Sequence, residues 1–273
     1  MKKSPDLCFN TERRNDRAMT IIERLEYYAI SHIGLKRTRN EDAHAVYDSS
    51  SMMAGGRKAY LFGVADGMGG HPCGDEASSI ACNGLEAFFS GWNDRLDAVE
   101  SADKLERLAF SIDAQIRRQA AIDTNCEEMG TTLSALLITA RYGVTVHVGD
   151  SRIYRLRDGS ILPLTTDHTF VQEMIDEGEL SPEAALQHPL RHLLMQVLGT
   201  GDPLDKADTG IIDIAGGDRF LLSSDGLHDL VALETIEKTL ADCDNPKKAA
   251  ELLLQAALQR GGRDNVTAIV VHL

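Results

Sequence analysis

The strongest constraint on this chain is a juncture that recurs along it: a strand end or turn that meets an aspartate, usually beside a glycine. It appears at Asp66-Gly67, Gly149-Asp150, Asp225-Gly226 and Arg263-Asp264-Asn265, and Asp42 joins the set after Asn40-Glu41. The fullest example is the apolar run Tyr60 to Ala65, which reads as a buried strand stopping at Asp66. A loop rich in glycine follows, ending in His71. Glycine opens backbone conformations closed to other residues and lets a ligand approach the main chain. One such aspartate is ordinarily a turn residue. Five are hard to explain as turns alone, because converging carboxylates repel one another unless cations compensate. Oxygen ligands of this kind suit Mg²⁺ or Mn²⁺, whereas zinc would want histidine or cysteine. Two such ions a few ångströms apart would bridge and acidify a water, an arrangement suited to attack on a phosphate ester.

Periodicity places these acids among strands and helices. Residues 1 to about 18 are polar, mixed in charge and without period, and read as a disordered tail; either Met1 or Met19 could be the start of translation. Residues 20–33 and 45–47 carry strand-like residues, and 48–57 reads as a hairpin loop. Helical spacing follows at 75–90 (Ala77, Ile80, Ala81, Leu85, Phe88, Phe89) and from about 95 to 122 (Leu105, Leu108, Ala109, Ile112, Ile116). Thr131–Ala140, Val144–Val148 and Ile153–Arg157 read as strands in quick succession, short enough to pair antiparallel. The acidic piece 163–200, with His168, His188 and His192, looks like an insertion lying over something. Strands at 209–214 and 218–223, helices near 233–241 and 246–259, and a last strand Asn265–His272 complete the chain. Antiparallel runs with paired helices and no linker indicate one α+β domain over 19–273.

Composition narrows the partners. A formal charge of −14 leaves no basic excess to neutralise phosphates, which argues against nucleic acid or an anionic membrane. No apolar run is long enough to span a bilayer, and a cytoplasmic protein is expected. The five cysteines, Cys8, Cys73, Cys82, Cys126 and Cys243, form no CxxC pair, so reduced thiols are expected rather than a disulfide framework or a structural zinc site.

Seven pieces in sequence order carry a resemblance. They are Arg37-x-x-Asn40-Glu41-Asp42, Val64-Ala65-Asp66-Gly67-Met68-Gly69-Gly70-His71, Gly130-Thr131-Thr132, Val148-Gly149-Asp150-Ser151-Arg152-Ile153-Tyr154, Asp167-His168, Leu222-Ser223-Ser224-Asp225-Gly226-Leu227 and Gly262-Arg263-Asp264-Asn265-Val266-Thr267. Over residues 25–273 the chain resembles the metal-dependent Ser/Thr protein phosphatases of type 2C (the PPM family) in their bacterial form. The resemblance implies a four-layer α-β-β-α sandwich, two antiparallel sheets flanked by helices, with a mobile flap at about 165–195. It implies hydrolysis of phosphoserine and phosphothreonine by a water held between two divalent ions, Mn²⁺ or Mg²⁺, with room for a third.

By the same resemblance, Asp66 bridges two metals and the Gly67 carbonyl ligates one. Asp225 and Asp264 complete the first metal's shell, Asp42 serves the second with Glu41 through water, and Asp150 and Asp229 form a third site with Asp225. For Asp229 a solvated helix-start acid is the competing expectation. Gly130-Thr131-Thr132 and Ser151-Arg152 are expected to support the site as strand and turn. Arg37 is the implied phosphate clamp, since a planar guanidinium grips two oxygens at once. His71 is the implied proton donor to the departing alkoxide, with His44 as the alternative and packing as its plainer role. The flap histidines are expected at the surface. Beyond them, Leu193-Leu194-Met195-Gln196-Val197-Leu198-Gly199 departs from the family's usual Thr-Arg-Ala-Leu-Gly ending. Expected partners are phosphorylated Ser/Thr proteins and a Ser/Thr kinase whose work is reversed, with the phosphatase a monomer. Two rivals are an inactive binding or sensing module of the same fold and a hydrolase of small phosphometabolites.

Overall fold

Strands rich in β-branched and aromatic residues come in antiparallel runs, and pairs of amphipathic helices separate the runs. The computed structural model describes residues 25–49, 58–68 and 73–273. The expected tail, the choice between Met1 and Met19, most of the 48–57 loop and His71 therefore lie outside the described residues. In chain order come β1 (Glu26–His32), β2 (Asp42–Asp48) and β3 (Ala59–Met68), then helices α1 (Gly74–Gly91) and α2 (Ala98–Ala120). Next are β4 (Gly130–Thr131), β5 (Leu133–Thr139), β6 (Gly143–Val148), β7 (Arg152–Arg157) and β8 (Ser160–Pro163). The flap carries short helices α3 (Phe170–Asp176) and α4 (Pro182–Ala185). The chain finishes with β9 (Asp208–Ile212), β10 (Arg219–Ser223), α5 (Asp225–His228), α6 (Leu233–Asp242), α7 (Pro246–Gln259) and β11 (Val266–His272). Local chemistry marks the helix starts. Asp97 and Glu100 form a reciprocal capping box at α2, and Asn245 caps α7 ahead of Pro246.

The strands form two antiparallel sheets, ordered β1-β11-β10-β7-β8 and β2-β3-β5-β6-β9, with β4 added beside β3. Period-two alternation then decides which side chains meet. In β3, Tyr60, Phe62 and Val64 face the core between the sheets, joined there by Leu136, Ile153, Phe220, Leu222, Ile269 and Val271. Leu61 and Ala65, on the other face, pack with Leu85 of α1 and Leu105, Ile112 and Ile116 of α2. On the far side, Leu221 and Val270 pack with Ile236 and Leu240 of α6 and Leu253 and Ala257 of α7. Three stacked apolar interfaces make four layers, the α-β-β-α sandwich the resemblance implies. Because the central strands are covered on both faces, they read in sequence as continuous apolar runs.

Two expectations need correction. β5 and β6 pair as antiparallel neighbours, but β7 leaves their sheet and pairs β10 in the other one. The crossing is made at Gly149, whose φ is +104° and whose missing Cβ would sit 2.6 Å from Thr132 Cγ2; only glycine adopts that conformation in that space. The turn at Arg157-Asp158-Gly159 instead folds β7 back onto β8. The second correction concerns the thiols. Cys73, at the start of α1, and Cys126 are disulfide-bonded with their Cα atoms 5.6 Å apart. No spacing announces this pair, because it closes only when β4 pairs with the end of β3, Gly67 against Thr131 and Met68 against Gly130. Cys82 and Cys243 are free and buried. Among the described residues, no helix is long and apolar enough to cross a membrane.

Phe220 is 0% exposed in the core between the sheets. Phe220→Ala should lower unfolding stability by about 3–5 kcal/mol through lost burial and a residual cavity, read from urea denaturation. A loss under about 1 kcal/mol would mean that the two sheets do not depend on this contact.

Candidate active site

Antiparallel pairing brings the end of one strand beside the start of its neighbour. β3, β6 and β10 end where β2, β7 and β11 begin, so acids distant in sequence gather at one end of the sandwich. Asp42 stands directly opposite Asp66 in the β2–β3 register. Asp225 opens α5 straight after β10, Asp264 stands just before β11, and Asp150 lies in the crossing from β6 to β7. Arg37, Glu41, Asp66, Gly67, Asp150, Asp225 and Asp264 line one cavity of ≈ 810 Å³, with the flap residues Leu193–Val197 on another wall.

Hydroxyls and amides hold the acids from behind. Ser224 Oγ and Thr267 Oγ1 donate to Asp42 Oδ2 at 2.7 and 2.6 Å, and Thr267 N donates to Ser224 Oγ at 3.0 Å. These bonds tie the first residue of β2 to β10 and β11 of the opposite sheet. Asn265 adds a second tie: its Oδ1 accepts from Glu41 N, and its Nδ2 donates to the carbonyls of Ile33 and Arg39. Asp66 is held through its main chain. Its N–H donates to Thr132 Oγ1 at 2.9 Å, its carbonyl accepts from Thr132 N, and Thr132 Oγ1 contacts Ser151 Oγ at 2.8 Å. The Thr131-Thr132 and Ser151 motifs thus do the supporting work expected of them. Ser224, Thr267 and Asn265 had no assigned part, although each sits in a motif quoted for its neighbouring acid.

The electrostatics follow from crowding. Desolvation, then the charges of Asp42, Asp225, Asp150 and Asp264, hold the Asp66 carboxyl well above the usual range. Asp225 is raised well above that range too, by desolvation and then by Asp150 and Asp229. Asp42 is pushed up to about 6 by desolvation, against the lowering effect of its Thr267 and Ser224 bonds. Asp150 is pushed up to about 7 by burial, with Asp167 and Asp229 adding to it. Glu41 and Asp229 are also raised, chiefly by desolvation. Oδ1 of Asp42 and Oδ1 of Asp225 are both sealed from solvent, with no hydrogen-bond partner among the described residues. Buried acceptors are rarely left unpaired. Carboxylates that repel each other and keep orphaned oxygens fit a divalent cation held by oxygen.

Gly67 must be glycine on packing grounds, since a Cβ there would fall 2.1 Å from the Gly74 carbonyl oxygen and 2.5 Å from that of Glu41. Arg37 is exposed at the cavity rim, and its Nη2 donates to Asp264 Oδ2 at 2.6 Å. His44 is exposed on β2, two residues beyond Asp42 and so on the same strand face, and desolvation lowers its pKa. Asp229 is not a helix-start acid: it caps the C-terminal end of α5 and pairs with His192 Nδ1 at 3.2 Å.

The flap is fixed at both roots. Arg152 grips Asp167 through two nitrogens, Nε at 2.8 Å and Nη2 at 2.6 Å. At the far root, Asp113 accepts from Gly199 N and from Arg117, whose Nη atoms donate to the carbonyls of Thr200 and Gly201. One flap histidine departs from the expected surface position. His168, 12% exposed in its side chain, packs on the His147 ring and accepts from Gly149 N through Nδ1, which leaves its Nε2 proton for Asp208.

Comparison with known proteins bears on this geometry. A family model described as Protein phosphatase 2C matches residues 31–260. The serine/threonine protein phosphatase PstP of Mycobacterium tuberculosis is 39% identical over 249 residues, which is 91% of this chain and 45% of that protein. The chain thus spans about half the length of that relative. Protein phosphatase PhpP of Streptococcus pneumoniae is 32% identical over 250 residues, 91% of this chain and 98% of the relative. A crystal structure of Mycobacterium tuberculosis PstP aligns with a TM-score of 0.79 at 38% identity, covering 91% of this chain and 98% of that one. The PstP catalytic domain in complex with 2 manganese ions aligns at 0.77 with 37% identity, covering 91% and 97%.

Raised carboxyl pKa values set the sign of a metal test. Between the unfolded carboxyl value and the folded values of about 6 for Asp42 and about 7 for Asp150, the folded metal-free protein holds protons that the unfolded chain has released. That contribution is present at low pH and is lost as pH rises through 6 to 7. A cation takes the deprotonated ligands. Mn²⁺ at about 100 times its dissociation constant should raise Tm by roughly 5–10 °C at pH 7.5, and by clearly less at pH 5.5. Thermal melts with Mn²⁺ and with chelator check this; an equal gain at both values would show that these carboxyls are not the ligands.

Proposed function

The chain belongs to the protein phosphatase 2C family, and on that premise we propose that it is a protein serine/threonine phosphatase hydrolysing phosphoserine and phosphothreonine. The observation that supports this best is the gathering of Asp42, Asp66, Asp225 and Asp264 at one end of the sandwich, with Asp42 Oδ1 and Asp225 Oδ1 unpaired among the described residues. Mn²⁺ or Mg²⁺, when bound there, would cancel the crowded charge and make a water nucleophilic at neutral pH. Asp66, the Gly67 carbonyl, Asp225 and Asp264 are the ligands proposed for one ion, and Asp66 with Asp42, aided by Glu41, for the other.

The remaining work falls to this chain's own side chains. Arg37, exposed at the cavity rim, is placed to hold phosphoryl oxygens and so to orient the ester toward the acids. Its bond to Asp264 keeps the guanidinium beside a proposed ligand before substrate arrives. His71 is assigned the proton for the departing alkoxide on its place in the Asp-Gly loop. The protein partners are phosphorylated Ser/Thr proteins, and we assign the chain the reversal of a Ser/Thr kinase, acting as a monomer in the cytoplasm. The intact set of acids speaks against an inactive module of the same fold. The named activities of PstP and PhpP favour proteins over small phosphometabolites as substrates.

The protein should release phosphate from a phosphothreonine peptide only with Mn²⁺ or Mg²⁺, and Asp225→Ala should abolish the release. No turnover by the parent protein would favour the binding module, and turnover of metabolites with peptides inert would favour the other rival. Arg37→Ala should raise KM roughly ten- to hundredfold, the value of one charge-assisted hydrogen bond of about 1.5–3 kcal/mol, with Mn²⁺ affinity nearly unchanged. An unchanged KM removes Arg37 from phosphate binding. A general acid acts only while protonated, so it produces the alkaline fall of the pH–rate profile. His71→Ala should erase that limb; a limb that stays in place assigns the proton elsewhere.

A further inference from the structure

The flap presents an apolar wall to the acid cluster. Among the large apolar side chains that the described residues expose, four lie within 186–195: Leu186 at 76%, Leu190 at 45%, Leu193 at 47% and Met195 at 46%. Such residues scattered singly are ordinary, but a group gathered in one segment marks a surface that another molecule covers. Leu193 and Met195, with Leu194 and Val197, line the same cavity as Arg37, Asp66, Asp225 and Asp264. The wall is also held in place. Leu193 O accepts from Phe170 N at 2.9 Å, and Met195 N donates to His168 O at 2.9 Å. Just beyond, Leu198 and Thr131 exchange both main-chain bonds at 3.0 Å. A surface fixed before binding loses little conformational entropy when it is covered.

We infer that Leu193, Leu194, Met195 and Val197 form an apolar subsite for the residue flanking the phosphorylated one, so that the substrates are phosphoproteins with a bulky aliphatic side chain beside the phosphothreonine or phosphoserine. The inference rests on the phosphatase reading, because it takes the phosphoryl group to sit between Arg37 and the acids. With the phosphate there, the neighbouring residues of the peptide enter the same cavity, and this wall is what they meet. Burying an aliphatic side chain against it removes apolar surface from water on both partners. Asp202 and Asp205 line the cavity as well, so an acidic flank meets like charge. Leu193–Gly199 is also the stretch that departs from the family's usual Thr-Arg-Ala-Leu-Gly ending. The subsite therefore belongs to this chain and not to the family pattern.

The test uses the full chain with Mn²⁺ and phosphothreonine peptides alike except for leucine, glycine, lysine or aspartate on both sides of the phosphothreonine. In the parent protein, kcat/KM for the leucine peptide should exceed that for the glycine peptide by roughly tenfold, the scale on which an apolar pocket discriminates. The aspartate peptide should be the slowest. In the double variant Leu193→Ser with Met195→Ser, the leucine-to-glycine ratio should fall to near one. Leu252→Ser, at another exposed leucine on α7, should leave the ratio as it is. A ratio near one in the parent, a ratio that survives the double variant, or a lysine peptide faster than the leucine peptide overturns the inference while the phosphatase reading stands. A dimer that the double variant separates, with the ratio near one throughout, also overturns it and assigns the wall to a second copy. If no peptide is turned over, the phosphatase reading fails and fluorescence anisotropy decides the subsite. Roughly tenfold tighter binding of the leucine peptide, lost in the double variant, would uphold it; equal or absent binding would sink both.

Discussion

Mutual repulsion among a few carboxylates is the constraint on which the rest of this structure turns. Desolvation first, and the charge of neighbouring carboxylates second, raise Asp42, Asp66, Asp150 and Asp225 above the ordinary carboxylate range. A loose loop would relieve such crowding by moving apart. Here it cannot, because the acids stand at element ends of a packed sandwich, and Asp42 and Asp66 are braced from behind. The Ser224–Asp42–Thr267 bonds are the clearest case, since they cross from one sheet to the other and fix β2 against β10 and β11. The two sheets are thus joined by apolar packing along their faces and by polar bonds at the site. What the fold spends in desolvation becomes a preformed demand for cations.

Much of this was legible in the sequence, for a physical reason. Antiparallel strands reverse direction, so acids that follow one strand and precede the next must arrive at the same end. Asp66 among the last residues of β3, Asp225 after β10 and Asp264 before β11 meet that condition from pattern alone. Helix stripes such as Leu105, Ile112 and Ile116 gave α2, and burial on both faces gave the continuous apolar runs of β3 and β5. Partner choice between sheets was not legible. Whether β7 pairs β6 or β10 depends on a backbone conformation at Gly149, and a glycine in sequence does not state its φ. The Cys73–Cys126 bond was hidden in the same way, because its closing contact is the β3–β4 register.

Histidines show the same limit from another side. Residue type places a histidine near a job without saying which neighbour it meets. His168 lies in an acidic segment that reads as surface, yet it is enclosed by His147, Gly149 and Asp208 because the flap root lies against the end of β6 and the start of β9. His192, in the same segment, is exposed and meets Asp229. The difference is position relative to the Arg152–Asp167 pair. His168 is adjacent to that anchor and is buried with it, whereas His192 lies on the far side of the flap, where the chain returns toward α5.

The placement of Asp66 itself rests on contacts that involve no carboxylate. Gly67 passes so close to Gly74 and Glu41 that neither glycine position has room for a side chain. Gly67 N donates to the Glu41 carbonyl, Ser78 Oγ of α1 donates to the same oxygen, and Cys73 at the head of α1 is bonded to Cys126. The end of β3 is therefore held by β2 on one edge, β4 on the other and the first turn of α1 behind it. A backbone carbonyl can be a dependable ligand only if its peptide plane cannot turn, and three-sided support of this kind fixes the plane. Asp66 and Gly67 are thus set by the sandwich itself, through β2, β4 and the first turn of α1.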